Sequence, residues 1–189
     1  MFSEKAMFDT QMDVAKVATA QTVSHVADTY RTGGELLNQA WVQSTVALLV
    51  GFVVHGLVVS QVVKPSTGNA KVDAGLADVV KVGTALTVAQ VVNATLKGGE
   101  VNLSNEWMQS TAMTLAAFFA FHVVVADYVP SVEGHQATVM DLAKVAFTSM
   151  GARYLAGGDL MDNEYLMSLA GTMAGFAVFH EVVRPRVFA

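Results

Sequence analysis

The chain has no cysteine and very little charge. Without cysteine it has no disulfide, no thiol nucleophile and no Cys-ligated zinc or iron–sulfur site. Asp, Glu, Lys and Arg together make up only 14% of its 189 residues, where a soluble domain carries about 25%. The net charge of −5 comes with no basic stripe, so nucleic acid is not an expected partner. Also missing are an HExxH motif, a phosphate-cradling glycine loop, a dinucleotide fingerprint and a serine elbow with its histidine and acid. Nothing in the sequence calls for catalysis, a metal or a cofactor. The acidic start "MFSEKAMFDTQMD" lacks the basic-then-apolar run of a cleavable signal; an ordered, docked Met1 is expected at this end.

What the chain does have is apolar length. Hydrophobic residues make up 53%, and the mean hydropathy is +0.45. Val42 to Val63 contains no charged residue, and at roughly 1.5 Å per residue it is about 33 Å of helix, enough to cross a hydrocarbon core of about 30 Å. Met108 to Ala126 is also uncharged, and Leu166 to His180 is a shorter third run. The sequence therefore reads as an all-α, multi-pass integral membrane protein, with the lipid bilayer as its first partner.

The same pattern is written three times. "DVAKV" at 13 returns as "DVVKV" at 78 and "DLAKV" at 141. Each is followed by a glycine pair (33–34, 98–99, 157–158), an aromatic, an apolar run and one of the three prolines, Pro65, Pro130 and Pro185. The units are 12–65, 77–130 and 140–185, tandem helical hairpins in one membrane domain spanning 1–189. They predict about six helices in a pseudo-threefold arrangement. Asp and Lys three apart share a face of each first helix, with the acid set to complement the helix dipole. Glycine ends that helix, Asn38, Ser104/Asn105 or Asp162/Asn163 cap the next, and proline stops it. The expected spans number six; the alternative is three spans with amphipathic helices packed beside them, the first helix being the most polar. Eight basic residues on the terminal and linker side against three at the hairpin loops place the termini on the cytoplasmic-equivalent side.

Four sets of residues recur. Trp41, Trp107 and Tyr165 open the apolar helices as membrane-interface anchors. Ser44 with Gly51, Ser110 with Ala117, and Ser168 with Gly175 stand seven apart and read as small-residue helix-packing seams, each followed by a phenylalanine (Phe52, Phe118, Phe176) able to fill a groove. His55, His122 and His180 stand 11, 12 and 12 residues beyond their serines. They read as structural hydrogen-bonding groups or, with Gln90 and Asn93, as a candidate polar path. The functional expectation is a non-enzymatic structural or accessory subunit of a larger membrane assembly, a membrane complex or a membrane-containing virion. Its partners would be other membrane proteins or copies of itself. The alternative is a small channel or transporter with a proton or ion path between the units.

Overall fold

A computed structural model describes residues 2–101 and 103–188. The expectation for Met1 lies outside them. The described residues form six long helices and no strand: α1 (Glu4–Thr32), α2 (Gln39–Val62), α3 (Ala70–Leu96), α4 (Asn105–Tyr128), α5 (Gln136–Leu155) and α6 (Asn163–Val187). Four of them, α2, α3, α4 and α6, are long and apolar enough to cross a membrane. That is fewer than the six spans expected, because α1 and α5 carry more polar residues along their length.

Local chemistry sets the boundaries. Asn38, Ser104 and Asp162 accept backbone N–H bonds at the starts of α2, α4 and α6. The first glycine of each pair, Gly33, Gly98 and Gly157, takes a left-handed φ of 73°, 65° and 75°, the backbone state that glycine reaches without a Cβ penalty. The first helices start earlier than the repeated motif suggests. Ser3 caps α1 and Asn69 caps α3, each well before Asp13 or Asp78, and no breaker intervenes. The three aspartates therefore sit beyond the first turn, where the helix dipole has faded. Their partners lie elsewhere.

The helices form a closed ring of neighbours: α1 on α2, α2 on α3, α3 on α4, α4 on α5, α5 on α6, and α6 back on α1. The closest pairs, α2–α3 and α1–α6, join different hairpins. Glycine explains this. A methyl at Gly51 would lie 2.4 Å from the Ala85 carbonyl oxygen, and one at Gly175 would lie 2.5 Å from the Ala20 Cα. The backbones meet there without side chains between them.

Gly51 and Gly175 are buried, as is Ala117, but Ser44, Ser110 and Ser168 are exposed. The buried seam continues four residues back instead of seven, through Ala47 on α2 and Gly171 on α6. The serines lie nearer the glycine-pair loops, where a central cavity opens between the helices and Ser110 joins its lining.

Candidate functional site

The repeated Asp and Lys residues form a collar. Lys81 pairs with Asp13, Lys144 with Asp78, and Lys16 with Asp141, each at 2.7 Å. Every pair joins two hairpins, and the three run in one cyclic direction: each lysine reaches the aspartate of the preceding hairpin. Three residues of separation puts the Asp and Lys of one helix on the same face, so each can serve a different neighbour. An ion pair between helices costs desolvation, and is favourable only when the remaining hydrogen-bonding capacity is also met.

The second helices complete that demand. His122 Nε2 donates to Asp78 Oδ2 at 2.8 Å, and His180 Nε2 donates to Asp141 Oδ2 at 2.7 Å. Beside them the Lys144 ammonium stands 5.8 Å from the centre of the Phe121 ring, and Lys16 stands 5.9 Å from Phe179. Both rings are 0% exposed. Aspartate, lysine, histidine and phenylalanine thus make one unit of structure, assembled from three helices, and it occurs twice.

The third occurrence departs from it. The second helices each pass into a π-helical turn at the collar: His55–Val59, Phe121–Val125 and Phe179–Val183. Such a turn inserts a residue and commonly marks a functional position. Its first residue is His55, Phe121 or Phe179, and its second is Gly56, His122 or His180. In the first hairpin the imidazole has moved back into the phenylalanine position, and glycine stands where the bonding histidine would be. Asp13 therefore has Lys81 but no histidine. His55 is 8% exposed and hydrogen-bonds to no described residue. The offset of 11 against 12 residues in the sequence is the trace of this exchange.

Beneath the collar lies a cavity of about 580 Å³ lined from all six helices. Its upper wall includes Val17, Val82 and Val145, each next to a collar lysine, and its sides include Phe52, Phe118 and Phe176. The three phenylalanines face this central space instead of filling grooves between helices. Arg153 and Tyr165 line it toward the glycine-pair loops.

The candidate path is not gathered into one place. His55, His122 and His180 stand at the collar, while Gln90 and Asn93 lie farther along α3 and do not line the cavity. The Asn93 side-chain oxygen is buried without a partner.

The anchor residues also have neighbours inside the protein. Trp41 stacks on His25 with ring centres 4.2 Å apart and planes 8° apart. The Arg153 guanidinium lies 4.4 Å from the centre of the Tyr165 ring. His25 and Arg153 occupy the same position relative to Asp13 and Asp141, so in each of these hairpins the first helix clasps the aromatic of the second. Trp107 is half-buried.

The collar acids and lysines escaped the sequence reading as a site, although "D-x-x-K-V" was its clearest repeat. A charged pair well inside an apolar helix is the signal that finds them. Among the described residues no three His, Asp or Glu side chains are grouped to hold a metal ion. No family model matches the chain, and neither a curated protein nor a solved structure matches it.

Proposed function

We propose that the chain is a multi-pass membrane protein serving as a structural or accessory subunit of a larger membrane assembly, built of three repeated hairpins about a pseudo-threefold axis. One observation carries the reading: polar groups face inward and are spent on each other in the collar, while large apolar side chains face out. On α2, Val42, Val46, Val50 and Val53 form an exposed stripe, opposite buried Thr45, Ala47, Gly51 and His55. An inside-polar, outside-apolar bundle suits lipid or apolar neighbours. The collar pairing lets α1 and α5 cross as well, shielded by the four more apolar helices. The excess of lysine and arginine on the terminal side puts the termini on the cytoplasmic-equivalent face. The apolar exterior then meets lipid, other membrane proteins or further copies of the chain.

A channel or transporter is the second reading, favoured by the cavity that all six helices line. The collar opposes it, because the three ion pairs link the hairpins across one end of that space. Flux assays on the purified protein in liposomes separate the two. The structural reading expects no proton or ion leak above protein-free vesicles, and in-membrane crosslinking that joins the chain to fixed neighbours. Selective flux that disappears in His122→Ala overturns it.

A further inference from the structure

The third collar position has a hollow of about 340 Å³ lined by Thr138, His180, Glu181 and Arg184, its histidine already bonded to Asp141; the irregular first position opens onto a matching pocket whose histidine has no such bond. It has a volume of about 340 Å³ and lies between the start of α1 and the end of α2. Ser3, Asp9 and Thr10 line it from α1 and its cap, His55 and Ser60 from α2, and Lys64 from just past the end of α2. A second hollow, of about 270 Å³, shares His55, Ser60, Lys64 and Lys81 with it, so His55 stands between two open spaces.

The charges in this pocket are unequally committed. Lys5 holds Asp9 at 2.9 Å, and Lys81 holds Asp13 at 2.7 Å. Each carboxylate thus has a lysine partner, the Lys5–Asp9 pair being the more exposed of the two. Lys64 has no ion pair or hydrogen bond to a described residue, and neither has the His55 imidazole, although it is more than nine-tenths buried. Its ring nitrogens are not enclosed by protein and open onto this space, where a bound group can reach them. The start of α1, a 29-residue helix, lines the same pocket through Ser3, Lys5 and Ala6; a helix end favours negative charge, and the Ser3 cap on the Ala6 N–H and Glu4 in the first turn meet part of that demand. A free ammonium, an imidazole able to donate and a helix N-terminus share one preference, an oxyanion.

We propose that this pocket binds a phosphate group, either the headgroup of an anionic lipid or a free phosphate, with Lys64 as its counter-ion and His55 as its buried hydrogen-bond donor. The lipid source rests on the membrane reading; the free-phosphate source does not. His55→Phe is a conservative probe, because it installs the ring already present at Phe121 and Phe179. Lys64→Gln removes the charge at an exposed position.

The test uses the full chain, purified in neutral detergent. Native mass spectrometry compares retention of phosphatidic acid with that of diacylglycerol, which has the same tails and no phosphate. Imidazole nitrogen NMR follows His55 during titration with inorganic phosphate. The expected result is preferential retention of phosphatidic acid, weakened about tenfold in each variant, the loss of one charge-assisted hydrogen bond. A His55 shift with inorganic phosphate identifies free phosphate as sufficient; retention of phosphatidic acid without that shift identifies the lipid headgroup. Equal retention of the two lipids with no His55 shift overturns the proposal, and so does phosphate binding that both variants leave unchanged. A soluble, lipid-free chain that still shows the phosphate-induced His55 shift would overturn the membrane reading and leave the pocket assignment standing.

Discussion

At two of the three junctions between hairpins a glycine lies against the backbone of an alanine, and at the third the facing glycine, Gly151, meets only an alanine methyl. Gly51 meets Ala85 and Gly175 meets Ala20 with backbones in contact, whereas the corresponding residue of the second hairpin is Ala117. Across from it, buried Thr148 takes the place of Ala20 and Ala85, and Gly151 lies one turn farther on. The third junction thus carries a methyl on one helix and a hydroxyl side chain on the other. Its helices, α4 and α5, pack less closely than α2–α3 or α1–α6. Ring closure in this fold tolerates one wide junction when two tight ones and the collar hold the rest.

The sharpest way to break that comparison is to put a methyl into a tight junction. Gly51→Ala and Gly175→Ala drive a carbon into the backbone of the facing helix, at 2.4 and 2.5 Å. Each is expected to destabilise the bundle by about 3 kcal/mol, at the upper end of overpacking costs, read as a drop in midpoint in thermal or denaturant unfolding.

The collar offers the next largest effect and its own contrast. Asp78→Asn leaves Lys144 and His122 without their carboxylate, at a site where the Asp78 and Lys144 side chains are 18% and 19% exposed. Asp13→Asn strands only Lys81, at side-chain exposures of 25% and 30%. Removing one partner of a fully buried pair costs about 3–5 kcal/mol. Partial exposure lowers that to about 2 kcal/mol for Asp78→Asn and about 1 kcal/mol for Asp13→Asn. Equal losses in unfolding experiments would show that histidine adds nothing to the collar.

A smaller effect belongs to the clasps. Arg153→Leu removes the cation from the Tyr165 ring together with an N–H bond to the Asp159 carbonyl at 2.6 Å. An exposed cation–π contact is worth about 0.5–1 kcal/mol, so a loss of about 1 kcal/mol is expected. The hydrogen-exchange protection of the third glycine-pair loop should fall with it.

These contrasts show which physics a sequence carries openly. Helix number, the glycine terminations and the caps at Asn38, Ser104 and Asp162 were legible because each depends on a few adjacent residues. The inward placement of Gly51, Ala117 and Gly175 was legible from recurrence. The collar was not, although its residues were the first repeat noticed. Asp13 looked like a helix-start residue because the polar Ser3 cap lay ten positions upstream, and an ion pair across hairpins depends on how three helices are arranged around a centre. The serines misled for a related reason: a seven-residue spacing repeats a face only while two helices stay together, and here they separate toward the loops. The shift of His55 by one position was visible as a number, but its consequence, a buried imidazole without a partner, needed the π-helical turns to be superposed.

The smallest expected effect is the one that most sharpens the comparison. Gly151→Ala adds the same methyl as Gly51→Ala, again at a junction between hairpins and again inside a helix. Its new carbon would lie 3.4 Å from the Ala117 Cβ, a side-chain contact that gives by a few tenths of an ångström. Replacing glycine with alanine inside a helix is itself favourable by about 0.5–1 kcal/mol. The two effects oppose, and the net change should fall within about 0.5 kcal/mol of zero. If Gly151→Ala destabilises as strongly as Gly51→Ala, the third junction is as tight as the others in solution and the asymmetry of the ring is lost. If it is neutral while Gly51→Ala is severe, the wide junction stands as the place where the ring has slack.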